Sequence, residues 1–150
     1  MNTPSDTLET AQAAALAVEI RVLVSKLRRR FREQTGTGDL KPSQMSVLHR
    51  LEREGPTTTS NLARLEGMRP QSMGTVIAPL EAAGLVSGAP DPTDGRQTLL
   101  SLTDTCRTWM QETRAARQDW LARQLRARLS PEEMDKLQEA IALLAEIADD

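Results

Sequence analysis

Residues 57–103 constrain the fold of this 150-residue chain more tightly than any other stretch. They read TTTSNLARLEGMRPQSMGTVIAPLEAAGLVSGAPDPTDGRQTLLSLT. Thr58 is a good N-cap, and Leu62, Ala63 and Leu65 give the short helix after it an apolar face. Gly67 can take the positive φ that ends a helix and turns the chain. Pro70 suits the first turn of a second helix, where a missing N–H costs nothing. Met73, Val76, Ile77 and Leu80 recur at helical spacing and face a core, which leaves Gln71, Ser72, Gly74, Thr75 and Ala78 on the opposite side. Gly84 stops that helix. A strand starting at Leu85-Val86 then runs into the tip Asp91-Pro92-Thr93-Asp94-Gly95-Arg96, and residues 98–102 return. The order is helix, turn, helix, hairpin: a helix-turn-helix with a wing, in which the second helix suits a DNA major groove.

Long helices flank this stretch. Leu16, Ile20, Leu23, Leu27 and Phe31 form a stripe over residues 7–34, after a frayed tail at residues 1–6, and Gly36 and Gly38 end the helix. Residues 42–54 form a helix with Met45, Val47, Leu48 and Leu51 on its apolar side, broken by Gly55-Pro56. Thr103 caps a further helix, with Asp104 in its first turn and Cys106, Trp109, Met110, Thr113, Ala116, Trp120 and Leu125 along it to about residue 129. Ser130-Pro131-Glu132-Glu133 opens the last helix with an N-cap, a first-turn proline and a capping-box glutamate. Met134, Leu137, Ile141, Leu144 and Ala148 repeat along it by threes and fours. Such seams need a partner, and a second copy related by a two-fold axis supplies one. The fold class is therefore mainly α: one domain over 1–150, a winged helix-turn-helix core at 41–103, and dimerisation helices at 7–34 and 104–149.

Composition agrees. One Phe, two Trp and no Tyr leave a core of Leu, Ala, Val, Ile and Met, which suits helices. The formal charge of −2 carries no basic signature. In residues 56–103, Arg64, Arg69 and Arg96 are outnumbered by Glu66, Glu81, Asp91 and Asp94. That balance counts against DNA binding, although helix N-termini and backbone amides also contact phosphate. The lone Cys excludes an intramolecular disulfide, and the longest apolar run, residues 13–18, is too short for a membrane span. With a polar, acidic N-terminus, the expectation is a cytoplasmic protein. A single His and a single Cys make no metal set and no nucleophile–base pair, and there is no phosphate loop. Neither an enzyme nor a cofactor is expected.

The pattern resembles the MarR family of winged helix-turn-helix regulators. The matching residues are Leu62-Ala63, the run Leu80-Glu81-Ala82-Ala83-Gly84-Leu85-Val86, the wing Asp91-Pro92-Thr93-Asp94-Gly95-Arg96, and Ser101-Leu102-Thr103. The resemblance spans nearly the whole chain. It implies a homodimer with interlocked N- and C-terminal helices, bound to an inverted-repeat operator in double-stranded DNA. It also implies a repressor released by a small effector, often a phenolic or aromatic acid, bound between the dimer helices and the winged domain.

Candidate contacts follow. Gln71, Ser72 and Thr75 are the base readers: Gln pairs bidentately with adenine, and Ser or Thr serves base or phosphate. Thr58 and Ser60 are candidates for phosphate. Arg69 is a phosphate contact or a plain turn residue. The resemblance sends Arg96 into the minor groove, with Asp94 orienting it or bracing the hairpin. Phe31, His49, Trp109 and Trp120 lie on elements that could line the effector cleft, or they simply pack. The basic cluster Lys26, Arg28, Arg29, Arg30 and Arg32 is a solvated helix end or an anion-contacting face.

Three residues or stretches depart from the family pattern. Ser87-Gly88-Ala89-Pro90 lacks the basic residues often found before the wing. Pro79 interrupts the recognition helix, cannot donate to the Thr75 carbonyl, and is expected to kink or loosen it at a cost of ~3 kcal/mol. Cys106 stands where Gly is common, as a buried inert thiol or as a redox sensor. The plain wing strand and the acidic balance leave a second reading open, a winged-helix protein that acts through a protein partner without a DNA site of its own.

Overall fold

The computed structural model describes residues 3–35 and 40–149. The element order is α1 (Pro4–Thr35), α2 (Pro42–Glu54), β1 (Thr57–Thr58), α3 (Thr59–Leu65), α4 (Pro70–Ala82), β2 (Val86–Pro90), β3 (Thr98–Leu102), α5 (Asp104–Arg128) and α6 (Pro131–Ala148). The mainly helical fold read from the sequence is the observed one. None of the described helices is long and apolar enough to cross a membrane.

Two compact units divide the chain, residues 1–113 and 114–150. The first holds the helix-turn-helix and the sheet. Its core combines Val47, Leu48 and Leu51 of α2, Leu62 and Ala63 of α3, Met73, Ile77 and Leu80 of α4, Val86, Leu100 and Leu102 of the sheet, and Cys106 and Met110 of α5. The apolar faces expected of α2, α3 and α4 are thus largely the buried ones, with Met45 and Leu65 half-buried. Val76 is only half-buried at the core's edge.

Local chemistry places the element ends. Lys41 N–H donates to Gln44 Oε1 at 2.8 Å, and Pro42 fills the first turn of α2. Gly67 (φ 65°) and Gly84 (φ 73°) close α3 and α4 in the same way. Met68 N–H reaches back to the Ala63 carbonyl at 2.8 Å, and Leu85 N–H to the Leu80 carbonyl at 2.9 Å. These are six-to-one bonds of a Schellman stop, which require a residue that tolerates positive φ.

The sheet is larger than the hairpin expected. β1 pairs antiparallel with β3 (Thr57 opposite Leu100, Thr58 opposite Leu99), giving the strand order β1-β3-β2. The Leu85 N–H is committed to Leu80, so β2 starts at Val86 and not at Leu85. The N-terminus also differs from the expected frayed tail, because α1 already starts at Pro4. Thr3 N–H donates to Asp6 Oδ2 at 3.1 Å, and Asp6 N–H donates to Thr3 Oγ1 at 3.3 Å, a reciprocal cap. The glycines expected to end α1, Gly36 and Gly38, lie outside the described residues.

α1 is exposed along most of its length: Leu8, Leu16, Val18, Ile20, Val22, Leu23 and Val24 face outward, while Leu27 and Phe31 are half-buried. In the second unit the Ser130 box forms as read, with Ser130 N–H on Glu133 Oε1 at 3.0 Å and Glu133 N–H on Ser130 Oγ at 3.2 Å. Trp120 is buried; Met134 and Leu137 are half-buried, and Ile141, Leu143, Leu144 and Ile147 are exposed.

Candidate nucleic-acid interface

α4 is anchored by Met73, Ile77 and Leu80 and presents its other side to solvent. Gln71, Ser72, Thr75, Ala78, Pro79 and Ala82 are all exposed. The Thr75 hydroxyl donates to the Ser72 carbonyl at 2.7 Å, which spends its proton inside the helix and leaves the oxygen lone pairs outward-capable. Pro79 does not break α4, which runs on to Ala82, and Ala83 N–H donates to the Pro79 carbonyl at 3.0 Å. Arg69 is the N-cap residue, exposed, with no side-chain capping bond.

On α3, Thr58 is half-buried, and its Oγ1 accepts the Asn61 N–H at 3.1 Å, so its oxygen already serves the helix end. Ser60 is exposed beside it. A relay that sequence reading missed ties this helix to β1. Arg64 Nη2 donates to Asn61 Oδ1 at 2.6 Å, and Asn61 Nδ2 donates to Thr57 Oγ1 at 2.8 Å. The three-residue spacing of Asn61 and Arg64 within α3 was the available signal for the first bond; the bond to Thr57 in β1 had none.

A second missed group holds α2 to the turn of the helix-turn-helix. Arg50 Nε donates to Glu66 Oε1 at 2.8 Å, Ser46 Oγ donates to the same carboxylate at 3.0 Å, and Arg50 Nη1 reaches Glu54 at 3.0 Å. The hydrogen bond from Arg50 holds the Glu66 carboxyl below the usual carboxylate range, against the opposing effect of partial burial. Glu66 is the C-cap residue of α3, so the pair pins the turn that sets the approach of α4.

The wing tip is built from its two aspartates. Asp91 Oδ1 accepts the Thr93 N–H at 2.9 Å and the Thr93 hydroxyl at 2.8 Å, and those bonds lower its pKa. Asp94 Oδ1 accepts the Arg96 backbone N–H at 3.1 Å, and the Asp94 carbonyl accepts the Gln97 N–H at 3.0 Å. Of the two roles open to Asp94, the geometry is that of a turn brace. Arg96 is exposed, and its guanidinium has no intramolecular partner among the described residues.

The residues suggested for an effector are dispersed in character. His49 is exposed on α2, Phe31 is half-buried on α1, Trp109 packs half-buried against the core of the first unit, and Trp120 belongs to the second unit. A depression of about 630 Å³ on α1 is lined by Ile20, Arg21, Val22, Val24, Ser25, Lys26, Arg28 and Arg29, and by none of those four. Among the described residues, no group of three or more His, Cys, Asp or Glu could hold a metal ion.

The sequence profile of the MarR family matches residues 40–98, which run from the start of α2 into β3. An HTH-type transcriptional regulator of Mycobacterium bovis is 39% identical over 137 residues, covering 91% of this chain and 95% of that protein. The chain belongs to the MarR family. A crystal structure of a candidate transcriptional regulator from Pseudomonas aeruginosa superposes with a TM-score of 0.78 at 33% identity, covering 93% of this chain and 97% of that one. A MarR family protein from Bacillus stearothermophilus shares the fold, with a TM-score of 0.71 at 22% identity over 94% and 98% of the two chains. The chain is thus a DNA-binding transcription regulator of MarR type with a winged helix fold.

Proposed function

We propose that this MarR-type regulator is a homodimeric repressor that binds an inverted-repeat operator and is released by a small effector, with 7–34 and 104–149 as its dimerisation helices. The observation that carries the reading is the outward apolar surface of both terminal helices. Leu16, Ile20 and Leu23 on α1, and Ile141, Leu143, Leu144 and Ile147 on α6, are all exposed in the single chain. Leaving so many large apolar side chains in water is unfavourable, and a two-fold partner removes them from it. Each protomer then presents one α4 and one wing. Gln71, Ser72 and Thr75 enter the major groove, Arg96 enters the minor groove with its loop braced by Asp94, and Thr58, Ser60 and Arg69 lie along phosphates.

Selection from a random duplex pool, with sedimentation equilibrium on the same sample, tests the proposal. A dimer that enriches two half-sites about one helical turn apart supports it. Arg96→Ala should weaken that complex by roughly tenfold, the size of one specific contact. A monomer, or no enrichment at low salt, counts against it. An aromatic acid that quenches Trp109 fluorescence while dissociating the complex would support the effector step.

A further inference from the structure

Gln71, Thr75, Ala78 and Ala82 are spaced at i, i+4, i+7 and i+11 on α4, and all four are exposed. That spacing is one straight stripe along a helix, diametrically away from Met73, Ile77 and Leu80. The stripe has one bidentate amide at its N-terminal end and three methyl-bearing side chains after it. α4 holds no arginine, lysine or histidine at any position, and its one charged residue, Glu81, is off the stripe.

We infer that α4 reads thymine C5-methyl groups along this stripe, together with one adenine edge, and makes none of the bidentate guanine contacts that need Arg or Lys; this rests on the proposed placement of α4 in the major groove. The commonest specific contact to guanine O6 and N7 comes from Arg or Lys, and the helix has neither. Gln71 has the donor and acceptor needed for adenine N7 and N6. The Thr75 hydroxyl proton is held by the Ser72 carbonyl, so Thr75 offers a methyl group and an acceptor oxygen but no free donor for a guanine acceptor. Ala78 and Ala82 offer methyl surface only, and the major-groove feature complementary to it is the thymine methyl. Charge neutralisation is left to residues outside the reading helix: Arg69 at its N-cap, Arg64 fixed by Asn61, and Arg96 on the wing.

The probe is the duplex enriched by the wild-type protein, rebuilt with thymines replaced one at a time by uracil, which deletes only the C5-methyl. Each contacted thymine should cost about 3- to 5-fold in affinity, the effect of one buried methyl. Replacing half-site guanines by 7-deazaguanine should change nothing. In Ala78→Gly, the penalty for one particular uracil should disappear, and that coupling is independent of any change in helix stability. Full tolerance of uracil at every position overturns the inference, as does loss of binding with 7-deazaguanine, and in both cases DNA reading itself stands. If no duplex is enriched at all, both the inference and the DNA-reading proposal fall.

Discussion

The Thr103 hydroxyl donates to the Gly84 carbonyl at 2.7 Å while its oxygen accepts the Cys106 N–H at 3.1 Å. One side chain thus caps α5 and ties the base of the wing to the end of the recognition helix. Its backbone N–H adds a third link, to the Leu85 carbonyl at 3.1 Å. The Leu-Thr pair that follows the wing in the sequence therefore has a mechanical role.

Thr103→Val keeps the shape and removes both hydroxyl bonds. It should lower stability by about 1–2 kcal/mol, the combined size of a lost N-cap and an unmet carbonyl. Thr103→Ser should recover most of that. Urea denaturation of the three proteins at one concentration measures it; a valine variant as stable as wild type would remove the latch.

The Arg50–Glu66 pair makes stability depend on acid. Arg50 holds the Glu66 carboxyl below its unfolded value, so its contribution is complete above the ordinary glutamate range. It is lost as pH falls through the lowered, folded-state value. Glu66→Gln should therefore lower the urea midpoint at neutral pH, and the gap to wild type should close in acid. A constant gap across the titration would mean that shape, not charge, matters there.

How much of this was readable beforehand depends on sequence distance. The Ser130 box, the Thr58 cap and the Gly67 and Gly84 stops were legible because each is set by residues within five positions. The Thr3 and Asp6 cap is equally local and was passed over because chain ends are expected to fray. β1 was not legible: two threonines gain strand geometry only by pairing with Leu99 and Leu100, some forty residues on. Ser46 and Glu66 lie 20 positions apart in the chain, and only the packing of α2 on the turn brings them, with Arg50, to one point. For the interface, residue types suggested which side of α4 is exposed, but only the structure assigned the Thr75 proton to Ser72 and the Asp94 carboxylate to the tip.

Cys106 is completely buried in the core, and that burial raises its thiol pKa. Thiolate is the reactive form, so the folded protein should react slowly with disulfide reagents and become fast only on unfolding. Thiol titration with and without urea tests this. Fast native reaction, or operator release by peroxide that Cys106→Ala abolishes, would revive the redox-sensor reading.

Gly88 sits opposite Leu100 in the wing, where a Cβ would lie 2.7 Å from Thr98 Cγ2. Gly88→Ala should cost about 1–3 kcal/mol, the usual range for overpacking. Thr98→Ser removes the clashing methyl, so in that background the penalty should shrink. A double-mutant cycle on thermal unfolding reads the coupling, and additive effects would place the strain elsewhere.

Pro79 offers the opposite kind of test, since it is exposed and stands inside a helix that continues past it. Its ring supplies no N–H, so the Thr75 carbonyl lacks its usual donor from four residues on. Pro79→Ala restores that donor and the better helix former, and should stabilise the protein by up to ~3 kcal/mol. The proline also restricts the backbone of the exposed side proposed to read DNA, between Thr75 and Ala82. If that geometry aims the helix, the alanine variant will melt higher yet bind the selected operator less tightly. Equal affinity with higher stability would make Pro79 a tolerated defect with no part in recognition. A lower melting temperature would mean that proline's restriction of the unfolded chain outweighs the missing hydrogen bond.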